Sequence, residues 1–220
     1  MCIRDSKTAG CLPDALLNFM VLLGWSLDDK TEVVPIQTVI DNFTLDRITK
    51  SSAIFDQDKL QWMNGMYIRD LSPEQLADAM MPFLERDLPE EVLPVDEEYL
   101  RQIAPLLQER MKSLEESANS TSYFFKADEE FDTGTLVQKG MDAKSTVTVL
   151  QRAGHALIGI DAFESDSLEQ ALRTTSDELE FRPREFFGTL REAITGRSAT
   201  PSLFEVMEVL GHVVFSEARF

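Results

Sequence analysis

Apolar residues recur every three or four positions along most of the chain, in segments that end at proline, glycine or polar clusters. This spacing is typical of amphipathic α-helices, whereas the strict alternation that favours β-strands is scarce. The predicted fold class is therefore all-α, mainly helical. The pattern predicts helices over residues 13–23, 35–41, 57–69, 73–86, 97–116, 143–160, 167–179, 183–195 and 201–210.

Residues at the ends of these segments match known helix-capping chemistry. Ser72, Pro73 and Gln75 form a near-complete capping box before an apolar run, and Asp56 is a candidate N-cap of the segment that follows it. Pro105 lies inside the predicted helix 97–116. Because proline lacks an amide donor and crowds the preceding turn, we expect it to kink or split that helix.

Composition places the chain among folded, soluble proteins of one or two domains. It has 220 residues, of which 43% are hydrophobic and 27% charged, and a formal net charge of −18. The longest apolar runs, such as residues 19–25, fall short of the roughly 20 residues that cross a bilayer. The first ten residues lack the apolar core of a signal peptide. We therefore expect a cytoplasmic protein that does not bind membranes.

The sequence offers no obvious catalytic or metal site. Its two cysteines, Cys2 and Cys11, and its two histidines, His155 and His212, match no metal-binding spacing. The glycines form neither a dinucleotide fingerprint nor a P-loop, and the common hydrolase motifs are absent. We predict no catalytic residue and no metal ligand.

Three blocks of sequence resemble, in this order, blocks of the C-terminal half of bacterial-type glutamate–tRNA ligases, which are class I aminoacyl-tRNA synthetases. They are GCLPDALLNFMVLLGWS (10–26), FTLDRITKSSAIFDQDKLQWMNGMYIR (43–69) and FFGTLREAITGRSATPSLFEVMEVLG (186–211). The family joins glutamate to tRNA(Glu) with ATP. Its two catalytic motifs, of the His-x-Gly-His and Lys-Met-Ser-Lys-Ser types, do not occur in this chain, and ITKSS (48–52) belongs to the second block rather than to a catalytic loop.

The resemblance implies a tRNA-binding C-terminal fragment that is inactive alone and holds no cofactor, ATP and Mg²⁺ acting in the full-length family. The expected partner is tRNA(Glu), without DNA, and the chain is expected to be a monomer. The implied domains are a non-family leader at 1–9, a stem-contact domain at 10–70, and two helical anticodon-binding subdomains at 71–122 and 123–220.

The resemblance assigns anticodon contacts to Arg191, Thr200 and Leu203, which flank the Thr195-Gly196 turn, and to Arg110. Guanidinium groups both stack on unpaired bases and hydrogen-bond their edges in a fixed fork. At Arg110 such a fork would favour the glutamate anticodon. From the residues alone, Leu203 could instead be a core residue, Arg191 could pair with a glutamate, and Arg110 could be an exposed helical arginine.

Arg47 and Lys50 are candidate phosphate contacts to the tRNA stem, with a solvated loop as the alternative. Trp25 and Trp62 are predicted to be core residues, because aromatic side chains at helical spacing usually pack inside. His155, on an apolar helix face, is predicted to be either hydrogen-bonded or half-buried. Four phenylalanines are also predicted to be core residues: Phe124, Phe125, Phe186 and Phe187.

Two other functions compete with the ligase fragment. A helical protein-interaction scaffold with the same fold would show a contiguous exposed apolar patch. A complete ligase would require a separate chain to supply the catalytic domain. The net charge of −18 also predicts weak, salt-sensitive RNA binding, because an acidic body repels phosphates at long range.

Overall fold

The computed structural model describes residues 3–49, 54–125, 133–160 and 162–217. Within these ranges the chain is helical and has no strand, which confirms the predicted all-α class. The helices are α1 (Ile3–Thr8), α2 (Pro13–Leu22), α3 (Ile36–Asn42), α4 (Gln57–Arg69), α5 (Pro73–Asp87), α6 (Glu97–Gln108), α7 (Ser117–Phe125), α8 (Ala143–Ile158), α9 (Ser165–Glu178), α10 (Pro183–Thr195) and α11 (Leu203–Glu217).

The chain divides into two compact units, residues 1–120 and 121–220. The second begins two residues before the subdomain start that we predicted at 123. Almost all of the predicted stem-contact and first helical regions, 10–70 and 71–122, lies in the first unit. That unit also contains α1, which lies in the predicted leader and contributes the buried side chain of Ser6.

In the first unit, α2 packs on α4 and α5 packs on α6. One apolar cluster centres on Phe19, Leu60 and Met63, and another contains Trp25 and the buried valines of the segment after α2. Apolar residues that recur at helical spacing form one face of each helix, and that face packs toward the interior. Trp25, 3% exposed, is the core residue that the sequence predicts.

A single buried amide joins three distant segments of the first unit. The Asn64 Oδ1 atom accepts a hydrogen bond from the backbone N–H of Leu12 at 2.8 Å. Its Nδ2 atom donates to the carbonyl oxygens of Gly10 at 3.1 Å and Lys112 at 2.8 Å. Asn64 is 2% exposed, so these bonds satisfy polar groups that would otherwise be buried without partners.

The capping residues predicted from sequence are confirmed. Ser72 accepts a hydrogen bond from the Gln75 backbone, and the Gln75 side chain accepts one from the Ser72 backbone, completing the capping box of α5. Asp56 caps α4 by accepting from the backbone of Lys59. Of the kink or split expected at Pro105, the split is wrong, because α6 continues through this residue to Gln108.

In the second unit, α8, α9, α10 and α11 pack around one apolar core. The buried members of this core are Val149, Ala153, Leu157, Leu168, Leu172, Phe186, Leu190, Leu203 and Met207. α10 ends at Thr195 and is followed by Gly196, whose φ of 65° is the left-handed conformation that glycine adopts without steric cost. α11 starts two residues later than predicted and contains a non-helical residue at Gly211.

Two predicted burials are wrong, and helix faces explain both. Trp62 is 43% exposed because Leu60, Met63 and Asn64 hold the inward face of α4. His155 is exposed because it lies on the outward side of α8, opposite the buried stripe that includes Val149 and Ala153. No helix in the described ranges is both long and apolar enough to cross a membrane.

Candidate RNA-binding site

The guanidinium of Arg191 is held at the junction between α10 and α11. Its Nη1 atom donates to the carbonyl oxygen of Thr200 at 3.1 Å, to the Thr200 hydroxyl at 2.8 Å and to the carbonyl oxygen of Pro201 at 3.1 Å. Arg191 itself is half-buried on the last two turns of α10. The loop between the helices therefore fixes the position of this side chain.

Thr200 and Leu203 are each only 3% exposed, so little of either side chain faces solvent. The Thr200 hydroxyl also donates to the carbonyl oxygen of Pro201 at 3.1 Å, and Leu203 belongs to the apolar core of the second unit. The structure therefore brings Arg191 and Thr200 into direct contact. Leu203 lies in the apolar core, which is the alternative to anticodon contact that the sequence left open for this residue.

A second arginine holds the start of the same loop, and sequence reasoning assigned it no role. The Arg197 Nη2 atom donates to the Ser122 hydroxyl at 3.1 Å, and its guanidinium carbon lies 5.5 Å from the centre of the Tyr123 ring. Its position one residue after the Thr-Gly turn was visible in the sequence. Its partners on α7 lie 75 residues away along the chain, beyond the reach of local patterns.

The remaining arginines of α9 and α10 differ in their surroundings. Arg182 and Arg184 are exposed at the start of α10. Arg173 on α9 forms an ion pair with Glu169 at 2.6 Å, and its guanidinium carbon lies 5.7 Å from the centre of the Phe187 ring. Exposed arginines near a helix N-terminus are suited to phosphate contacts, which position RNA without reading its sequence.

Arg110 belongs to the first unit, whereas Arg191, Thr200 and Leu203 belong to the second. It lies in the turn directly after α6, with an exposed side chain and a backbone N–H that donates to the carbonyl oxygen of Leu107 at 2.9 Å. Arg110 therefore lies just after the end of α6 at Gln108, whereas the sequence predicted a helix that continues to residue 116.

The loop predicted to contact the tRNA stem is tied to the segment after α2. Arg47 donates from Nη1 to the carbonyl oxygen of Leu27 at 2.9 Å, and its side chain is exposed. Hydrogen bonds from the backbone of Thr31, then from Lys30, lower the pKa of Asp28, with Arg47 adding a smaller electrostatic effect in the same direction. Lys50 lies outside the described residues.

The sequence profile of the anticodon binding domain family matches residues 75–215, almost two thirds of the chain. The chain belongs to this family. The match covers all the helices from α6 to α10 and includes Arg110, Arg191, Thr200 and Leu203. A second profile, the catalytic domain of class I tRNA synthetases of the glutamate and glutamine type, matches residues 2–62 and so includes most of the predicted leader.

Curated relatives of the chain are glutamate–tRNA ligases. The enzyme of Dehalococcoides mccartyi is 40% identical over 208 residues, which are 94% of this chain and 43% of that ligase. The enzyme of Roseiflexus castenholzii is 43% identical over 204 residues, 92% of this chain and 40% of that ligase. The chain thus spans about two fifths of the length of these relatives.

Solved structures share the fold over nearly the whole chain. The crystal structure of a glutamate tRNA ligase from Elizabethkingia meningosepticum, in complex with its amino acid, matches with a TM-score of 0.79 and 25% identity. The match covers 96% of this chain and 40% of that one. A glutamate–tRNA synthetase from Elizabethkingia anophelis matches with a TM-score of 0.71. The chain therefore shares the fold of the corresponding part of these ligases.

Proposed function

We propose that the chain is the tRNA-binding part of a glutamate–tRNA ligase and recognises the anticodon of tRNA(Glu) with Arg191. The observation that carries the proposal is the guanidinium of Arg191, held by Thr200 and Pro201 at the α10–α11 junction within the anticodon binding domain match. A planar donor with a fixed position can discriminate one base edge from another.

The neighbouring residues have supporting roles in this proposal. Thr200 orients the guanidinium of Arg191 through its hydroxyl and carbonyl oxygens, and Leu203 anchors the first turn of α11 in the core. A buried anchor keeps the loop in one position, which lowers the entropy cost of ordering it on binding. We assign the main contact with the anticodon to Arg191. Thr200 and Leu203, each 3% exposed, would contact it only through the small part of each residue that faces solvent.

Three further basic residues complete the proposed tRNA contacts. We assign discrimination of the glutamate anticodon to Arg110 and contacts with stem phosphates to Arg47 and Lys50. Since the formal net charge of the chain is −18, these local contacts must act against a repulsive field. Binding should therefore weaken steeply as the salt concentration rises.

Equilibrium binding to tRNA(Glu) and to a variant carrying a glutamine anticodon, measured across salt concentrations, tests this function. We expect the chain to prefer tRNA(Glu), and Arg191→Ala to lower that preference about 10-fold, since one good base contact is worth roughly 1–3 kcal/mol. Arg110→Ala should lower the same preference. Both variants should keep the far-UV circular dichroism of the parent chain.

Arg184→Ala is the matched control, because it removes one exposed positive charge from the same helix. It should weaken binding to both tRNAs equally. The slope of the logarithm of the binding constant against the logarithm of the salt concentration should fall by about the amount that one phosphate contact contributes. Equal affinity of the folded parent chain for the two anticodons would refute anticodon recognition.

We also propose that ligase activity requires the rest of a class I catalytic domain. Among the described residues, no group of three or more His, Cys, Asp or Glu side chains is placed to hold a metal ion. The family's reaction, which joins glutamate to tRNA(Glu), would occur only when that further part is present.

A second candidate function, protein interaction, is favoured by an open apolar groove of about 1470 Å³ in the first unit. Leu17 and Met20 are 44% and 52% exposed along it. Its apolar lining consists of Leu12, Pro13, Leu16, Leu17, Met20, Phe55, Ala79, Pro82, Phe83 and Leu114. Since most of these residues lie within the match to the class I catalytic domain profile, the occupant we propose is the remainder of such a domain.

Mixing the chain with the separately produced N-terminal part of the Roseiflexus castenholzii ligase tests that pairing. We expect neither part alone to aminoacylate tRNA(Glu), and the mixture to bind and regain activity. A Leu17→Lys, Met20→Lys double variant should weaken association at least 10-fold, because it places two charges in an apolar contact. The Val147→Lys variant, at a site 51% exposed on α8, is the control. Aminoacylation by the chain alone would contradict the first expectation.

A further inference from the structure

The seven-residue loop 196–202 is held at both of its ends by arginines. Near its end, three oxygen atoms of Thr200 and Pro201 accept hydrogen bonds from Arg191. At its start, Gly196 closes α10 in a left-handed conformation, and Arg197 follows directly. Because all three of these oxygen atoms lie on the loop, a displacement of the loop would also move the guanidinium of Arg191.

Arg197 connects the start of this loop to α7. Its Nη2 atom donates to the Ser122 hydroxyl at 3.1 Å, and its guanidinium lies over the Tyr123 ring at 5.5 Å from the ring centre, a distance typical of cation–π contacts. Tyr123 is 6% exposed, so its ring is packed against neighbouring residues. The carbonyl oxygen of Arg197 also accepts a hydrogen bond from the Thr195 hydroxyl at 3.4 Å.

We propose that Arg197 is a positioning residue for anticodon discrimination, which it supports by fastening loop 196–202 to Ser122 and Tyr123 of α7. The inference rests on the proposed function of Arg191. Hydrogen bonds to base edges require donor–acceptor distances of about 2.7–3.2 Å and angles above about 120°. A loop shift of 1 Å at the guanidinium would therefore reduce discrimination without removing any positive charge.

This role differs from that of a phosphate contact. A phosphate contact strengthens binding to every tRNA alike and contributes to the salt dependence. A positioning contact changes the ratio of the two affinities and leaves the salt dependence unchanged when the charge is kept. Variants that preserve charge but remove the contact with α7 separate the two roles.

Arg197→Lys and Tyr123→Leu are such variants. Lysine keeps the charge but lacks the planar group that stacks over the ring, and leucine removes the ring while leaving Arg197 in place. We expect each to lower the preference for tRNA(Glu) over the glutamine-anticodon variant about 5-fold, with an unchanged salt dependence. Hydrogen exchange of the backbone amides of residues 196–202 should rise in both.

Arg184→Lys and Tyr123→Phe are the matched controls. Arg184→Lys makes the same chemical change at an exposed site, and Tyr123→Phe keeps the ring, so both should retain the parent's preference and amide protection. If the parent chain discriminates and Arg197→Lys discriminates equally well with equal protection, the positioning role is wrong. If the folded parent does not discriminate, the proposed anticodon function fails, and the positioning role fails with it.

Discussion

Gly10→Ala is expected to lower the free energy of unfolding of residues 1–120 by about 3 kcal/mol or more. Gly10 has a φ of 71°, which alanine adopts only at a cost. An added Cβ atom would lie 2.3 Å from the backbone nitrogen of Glu115 and 2.6 Å from that of Leu114. Both obstacles are backbone atoms, so no side-chain rotation relieves the overlap.

The expected damage extends beyond steric overlap. The carbonyl oxygen of Gly10 accepts hydrogen bonds from the backbone of Leu114 at 3.0 Å and from the buried amide of Asn64 at 3.1 Å. Separating Gly10 from the segment around Leu114 would leave these polar groups buried without partners. Each such group costs about 1–3 kcal/mol.

Urea unfolding followed by tryptophan fluorescence measures this effect in the first unit, which contains both tryptophans, Trp25 and Trp62. Gly24→Ala is the matched control, because a Cβ atom there would meet no heavy atom within 4 Å. It should change the free energy of unfolding by no more than about 0.5 kcal/mol. Equal urea midpoints for the parent and Gly10→Ala would show that the close approach at Gly10 is wrong.

Phe186→Ala is expected to destabilise the second unit by about 3–5 kcal/mol, the usual cost of removing a buried phenylalanine ring. Phe186 is fully buried in the core formed by α8, α9, α10 and α11, and its ring centre lies 5.2 Å from that of Phe187. The core cannot collapse fully around the missing ring, because four helices line it. The cavity adds to the lost transfer free energy.

Hydrogen exchange resolved by mass spectrometry measures this change, because it reports amide protection in α8, α9 and α10 separately from the first unit. Ile158→Ala is the control, since Ile158 lies in the same unit but is 70% exposed. It should shift stability by less than about 1 kcal/mol. Because α10 also carries Arg191, Phe186→Ala should reduce discrimination between anticodons in proportion to the unfolded fraction, whereas Ile158→Ala should not. Unchanged protection in Phe186→Ala would contradict the core assignment.

The helical segments were largely predictable because the signals that specify a helix lie within the segment itself and at its ends. Periodic apolar residues, the Ser72–Gln75 capping box, the cap at Asp56 and the Thr195-Gly196 helix end all appear in the structure where the sequence places them. The short helices α1 and α7 were not predicted. Their sequences, IRDSKT and SANSTSYFF, are too short or too polar to show a clear apolar stripe.

Burial was less predictable, because an apolar neighbourhood in sequence does not specify a face. Trp62 and His155 both lie next to apolar residues along the chain but on the outward sides of their helices. The split expected at Pro105 also failed. Proline removes only one helix hydrogen bond, and the packing of α6 on α5 favours the continuous helix.

By itself, the sequence determined the all-α class, most helix boundaries and the resemblance to glutamate–tRNA ligases, because these depend on local spacing and on residue identity. The tertiary structure decided which polar groups meet. Asn64 reaches Gly10 and Lys112, and Arg197 reaches Ser122 and Tyr123, across separations of 48 to 75 residues. Such contacts arise only when helices pack, since their geometry depends on the relative placement of elements that no local pattern encodes.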